Sequence, residues 1–119
     1  MKKIQNMTLL AALVFGLTAS LAHAEVRSFR LDAVEIDGVK FWLPSTLVVK
    51  KGDTVKISAT SKVPGANSVH GLEIKEFKVL EVVNEKGKSV EFKADKAGVF
   101  TIDCQLHPAH VGAQLVVLE

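Results

Sequence analysis

Apolar and polar residues alternate along three stretches of this chain with the two-residue period of a half-buried strand. Val55, Ile57 and Ala59 fall on one side, and Lys56, Ser58 and Thr60 on the other. Val90, Phe92 and Ala94 alternate in the same way with Ser89, Glu91 and Lys93. Phe100, Ile102 and Cys104 share a face opposite Thr101 and Asp103. Beyond residue 24 no helical period is found. Turn-forming clusters punctuate the runs: Asp37-Gly38, Lys51-Gly52-Asp53, Pro64-Gly65, Glu85-Lys86-Gly87 and Ala97-Gly98. The pattern predicts an all-β fold of about seven short strands, an antiparallel sandwich with Greek-key connections.

The same alternation places the residues capable of chemistry. His70 opens the run His70-Gly71-Leu72-Glu73-Ile74 and shares a side with Leu72 and Ile74. Cys104 closes the strand of residues 99–103 and points with its core residues. Residues 105–112 form a loop into the last strand, residues 113–118. Two strand ends of a sandwich can bring His70 and the Cys104 loop together at one pole.

The N-terminal segment has a different character. Lys2 and Lys3 precede an almost wholly apolar run over residues 7–21, and Ala22-His23-Ala24 is a small-x-small cleavage signature. The expectation is a secretory signal peptide at residues 1–24 and one periplasmic domain at residues 25–119. The apolar run is shorter than the ~20 residues of a spanning helix, and no basic stop-transfer cluster follows it. No stable membrane insertion is therefore expected after cleavage. The 15 Lys and Arg of the chain exceed its 13 Asp and Glu by two. Lys2 and Lys3 are that excess, so the exported part is balanced and offers no basic stripe for nucleic acid. A monomer is expected.

Once the signal is removed, the remaining histidines are His70, His107 and His110, and the only cysteine is Cys104. A single cysteine excludes an internal disulfide, and an odd cysteine in an exported protein needs another explanation, of which metal ligation is one. Thiolate with imidazole suits copper and zinc, and a trigonal Cys-His-His set with a weak fourth ligand is the blue-copper arrangement. Cys104 would supply the thiolate, and His70 and His107 the equatorial nitrogens. Pro108 stiffens the loop that carries Cys104 and His107. Cysteine with three histidines would also make a tetrahedral zinc set, although structural zinc sites more usually carry more cysteines.

The chain resembles the cupredoxins, small copper-binding β-sandwich proteins, over essentially all of residues 25–119. Phe41-Trp42-Leu43-Pro44 and the run from Leu47 to Val55 resemble the family's opening strands. Val69-His70-Gly71-Leu72-Glu73-Ile74 resembles the first-ligand segment, especially that of the copper domains of cytochrome oxidase subunit II and nitrous oxide reductase. Ala94-Asp95-Lys96-Ala97-Gly98 and Cys104-Gln105-Leu106-His107-Pro108-Ala109-His110-Val111-Gly112 resemble the closing half, with a short ligand loop most like that of amicyanin. The resemblance implies one copper ion per chain, held by His70, Cys104 and His107. Two departures matter. A dinuclear centre of the oxidase type needs a second loop cysteine, which is absent. His110 stands where most mononuclear relatives place a methionine. His110 is expected to be the fourth metal ligand; imidazole is a stronger donor than thioether, so its ligation would favour Cu(II) and lower the potential. If His110 instead turned to solvent, the site would have three ligands. Gln114 is a remote alternative donor.

The resemblance implies single-electron transfer, with a redox partner docking near His107 on Leu106, Pro108 and Ala109. Lys75, Lys78, Lys86 and Lys88 could form a charged rim, or simply a solvated strand face. Copper resistance or delivery is an alternative, as is ferrous-iron oxidation beside an iron uptake system. The latter would be the only enzymatic role, and an enzyme is not the leading expectation.

Overall fold

The computed structural model describes residues 23–119, so the predicted signal peptide lies outside the described residues except for His23 and Ala24. Among the described residues no helix is long and apolar enough to cross a membrane. The chain forms β1 (Val26–Ile36), β2 (Val39–Leu43), β3 (Thr46–Lys50), β4 (Thr54–Ser61), β5 (His70–Ile74), β6 (Val79–Val83), β7 (Lys88–Lys93), β8 (Gly98–Ile102) and β9 (Ala113–Leu118). Short 3-10 turns at Gly65–Asn67 and Lys75–Phe77 flank β5.

One sheet runs β2-β1-β4-β7 and a second runs β3-β9-β8. The β5–β6 hairpin continues the second sheet, because Glu73 and Asp103 pair between β5 and the end of β8. Their N–H groups each donate to the other's carbonyl at 2.9 Å. The alternation read from the sequence is the burial pattern. Val55, Ile57 and Ala59 are buried with Leu31 and Ala33 of β1 in one layer, facing Leu47, Leu72, Ile74, Ile102 and Leu115 of the other.

The sandwich departs from the expected one in two respects. It has nine strands rather than about seven, and it is mixed rather than antiparallel: β1 pairs parallel with β4, and β3 parallel with β9. The additional strands arise at the opening of the domain. Asp37 and Gly38 both have positive φ, 51° and 78°, the geometry of a two-residue hairpin turn. That turn folds β2 back on β1. Pro44, which has no N–H for a ladder, then separates β2 from β3, and the chain crosses from the first sheet to the second. What reads as one opening segment is divided between the layers.

Asp53 fixes the turn into β4. Its residue is only 3% exposed. Its carboxylate accepts the Lys50 N–H and the Glu25 N–H, both at 2.9 Å. These two backbone donors, the Glu25 bond first, hold its pKa below the ordinary carboxylate value. A depressed folded-state pKa means stability that is present above the unfolded value of about 3.9 and is lost as pH falls through it toward the folded value. Asp53→Asn should therefore lower the melting temperature at pH 7, and the gap between variant and wild type should narrow from pH 5 to pH 3. A gap independent of pH in thermal scans would contradict this account.

Candidate metal centre

Three local devices bring the predicted ligands together. The first is the Glu73–Asp103 pair. It sets β5 and the end of β8 in antiparallel register, so Cys104 arrives beside the start of β5, where His70 is placed. The second is the loop itself. The His107 N–H donates to the Cys104 carbonyl at 3.4 Å, and the His110 N–H to the His107 carbonyl at 3.0 Å. The loop is thus two successive turns, and Cys104, His107 and His110 are the residues at which these turns begin and end. Pro108 stands at the second position of the second turn, where its fixed φ is favourable. The three-residue spacing in Cys-x-x-His-x-x-His is the spacing of these turns.

The third device is Gly71. Its N–H donates to Cys104 Sγ at 3.1 Å. The Gln105 side chain lies across Gly71 and donates from Nε2 to the Glu81 carbonyl on β6 at 3.0 Å. The ligand loop is thereby strapped over the β5–β6 hairpin. Sequence reasoning passed over both residues. The available signal was a glycine inside a strand, which marks a close approach of other atoms.

His70, Cys104 and His107 offer one ligand atom each, all within 4.8 Å of one another. His107 Nδ1 lies 3.4 Å from Cys104 Sγ. His70 is fully buried, Cys104 is 7% exposed and His107 is half-buried. His110 does not turn to solvent; it is 7% exposed, its ring centroid 5.1 Å from that of His70 and 5.4 Å from that of Trp42. It stands beside the three-residue cluster rather than within it. Burial, and next the neighbouring His107, hold its pKa below the ordinary imidazole value, against the opposing effect of the Val111 carbonyl. That carbonyl lies 3.1 Å from Nδ1 and accepts a hydrogen bond from its N–H. Nε2 is then an unprotonated, buried nitrogen with no hydrogen-bond partner among the described residues. Gln114 is not at the site; it lies exposed on β9 and donates to Thr46 Oγ1. Trp42, also missed, packs beside the cluster from the core, with its ring centroid 6.2 Å from that of His70.

A soft thiolate beside imidazoles, enclosed on one side, fits copper better than a hard cation. No protein-family model matches the chain, and no curated protein matches it. Solved structures do. A copper nitrite reductase from Nitrosomonas europaea aligns over 78% of this chain with a TM-score of 0.66 and 19% identity. The chain spans about two-fifths of that enzyme. The metal-binding domain of the Streptococcus pneumoniae Cu(I)-exporting P-type ATPase CopA, solved with Cu(I), aligns over 81% of this chain and 95% of its own, with a TM-score of 0.64 and 18% identity. A copper-binding protein solved in its apo form aligns over 77% of this chain and 87% of its own, with a TM-score of 0.58 and 21% identity. The fold is cupredoxin-like. At one pole of it, His70, Cys104 and His107 offer two imidazoles and a thiolate that could hold a metal ion.

The strap generates a prediction. A Cβ at Gly71 would stand 2.8 Å from the Gln105 backbone nitrogen and would collide with its side chain. Gly71→Ala should lower stability by about 1–3 kcal/mol, the usual cost of overpacking, read as a lower denaturant midpoint at unchanged slope. Wild-type stability in this variant would mean that the loop does not lie against β5.

Proposed function

We propose that this chain is an exported, mononuclear copper protein that carries single electrons. The observation that carries the reading is the convergence of Cys104, His70 and His107 at one pole of a rigid sandwich, with only His107 reaching toward solvent. Copper, when bound, supplies a centre that gains and loses one electron. The rest is the work of the chain. Cys104 offers a thiolate whose charge the Gly71 N–H partly balances. His70 and His107 offer imidazole nitrogens. The paired turns and the Gln105 strap hold these donors in place, which limits rearrangement between oxidation states. His110 is kept neutral, with Nε2 available as a fourth donor.

Around His107, the side chains of Leu106, Pro108, Ala109 and Val111 are exposed. They give a small apolar surface suited to brief docking of a redox partner. The expected lysine rim is partly neutralised: Lys75 pairs with Glu73 at 3.9 Å and Lys88 with Glu81 at 3.5 Å. Apolar contact rather than charge would then dominate the encounter. Copper delivery is the second reading. It is favoured by the match, over nearly the full length of that domain, to a metal-binding domain of a Cu(I)-exporting ATPase.

Titration of the metal-free chain with Cu(II) should end at one equivalent and produce a thiolate-to-copper absorption band that Cys104→Ser abolishes. A coloured Cys104→Ser variant, or a chain that binds zinc and refuses copper, would overturn the reading. Rapid electron self-exchange would support electron transfer, and slow exchange at full occupancy would support delivery. His110→Met should raise the reduction potential, because a weak sulfur donor stabilises Cu(II) less than nitrogen does. An unchanged potential and spectrum would remove His110 from the ligand set.

A further inference from the structure

Asp53, outside the metal-ligand segments, holds a carboxylate that is almost buried yet, among the described residues, has only neutral hydrogen-bond donors: the backbone N–H groups of Glu25 and Lys50. Glu25 is seated on the same turn from its other side, since its carbonyl accepts the Thr54 N–H at 2.9 Å. Regular pairing of β1 with β4 begins at the next residue, Val26 opposite Thr54. Glu25 is thus the first of the described residues bound into the sandwich. His23 and Ala24 before it are exposed and belong to no strand. The first fixed nitrogen of the domain therefore rests 2.9 Å from a carboxylate oxygen. It is also the nitrogen that follows the small-x-small signature Ala22-His23-Ala24.

We infer that the chain is processed at the Ala24–Glu25 bond and that the new α-ammonium of Glu25 docks on Asp53 as an ion pair. This rests on the export reading above. The step is a hydrolysis by an endopeptidase that accepts small side chains one and three residues before the cut. Water adds across the amide, Ala24 leaves with a carboxylate, and Glu25 keeps its nitrogen as a free amine that takes a proton. The cut precedes folding, because in the sandwich the Glu25 N–H is engaged with Asp53. An amide N–H facing a carboxylate becomes an ammonium facing it, and a charge-assisted bond of this kind is roughly twice as strong as a neutral one. The neighbouring charged groups are Arg27 and Lys50, which also face Asp53, and the exposed Glu25 side chain, which pairs with Arg27 at 3.2 Å. None of these puts a cation in hydrogen-bonding contact with the carboxylate, and the new terminus would.

Two measurements separate this proposal from the reading beneath it. The full chain is expressed in a Gram-negative host, the secreted fraction is recovered, and its intact mass is measured. The expected mass begins at Glu25; a mass beginning elsewhere, or no secreted protein, overturns processing at this bond. Melting temperatures are then compared, without added metal, between protein starting at Glu25 and protein retaining Ala24, each with Asp53 intact and each carrying Asp53→Asn. With Asp53 intact, the Glu25 form should melt several degrees higher than the Ala24 form. Between the two forms carrying D53N, that difference should vanish. Equal melting of the two forms with Asp53 intact overturns the docking even where the cut is correct, and that comparison stands if the D53N proteins fail to fold.

Discussion

Two reciprocal hydrogen bonds between Glu73 and Asp103 join the β5–β6 hairpin to the rest of the second sheet, and the whole metal centre depends on them. Without that register, His70 and the loop after β8 would belong to separate pieces of structure. With it, the Gly71 N–H meets the Cys104 sulfur, and Gln105 has a carbonyl on β6 to grip. The bridge is short, a single residue pair. It is reinforced by packing, because Leu72 and Ile74 on β5 and Ile102 on β8 are fully buried on either side of it. Backbone polarity sets the alignment and apolar burial makes it costly to leave.

Strands β4 and β8 were legible in the chain because one of their faces is solvated. Val55, Ile57 and Ala59, and likewise Phe100 and Ile102, alternate with polar neighbours, and a period of two survives in the sequence. Such alternation identifies a face but says nothing of which strand lies beside which. The parallel pairing of β1 with β4 and of β3 with β9 left no local trace. Asp37-Gly38 was recognisable as a turn, whereas the crossing between sheets at Pro44 was not. At the site, the ligand types and their spacing were readable because each residue has distinctive chemistry. Gly71 and Gln105 were not, since their roles come from a contact between segments more than thirty residues apart in the chain. The burial of His110 was equally hidden. Its spacing marks it as a candidate fourth ligand, but does not show that Trp42 packs against it or that it stands beside the three-residue cluster.

His110 and Trp42 share an unusual condition. Each has a buried nitrogen with no hydrogen-bond partner among the described residues. Such a group costs on the order of 1–3 kcal/mol. The two cases are not alike. Nε2 of neutral His110 carries a lone pair, which a cation would satisfy. The indole nitrogen of Trp42 is only a donor, so no metal ion could relieve it. Its ring instead fills space against His70 and His110, separating both imidazoles from water. An aromatic ring thus packs on the inner side of the pole, and His107 is the most exposed of the three clustered ligands.

The last strand has a consequence for the life of the chain before it is folded. β9 lies between β3 and β8 and pairs with both, so residues 46–50 find their partners only at residues 114–118. A chain emerging in order from its N-terminus therefore cannot complete the second sheet until residues 113–118 are free, and contacts of such long sequence separation form slowly. Until then Leu47 and Val49 have no neighbouring strand to cover them. The order of synthesis and the order of assembly therefore run against each other in this sheet, whose central strand is made after both of its neighbours.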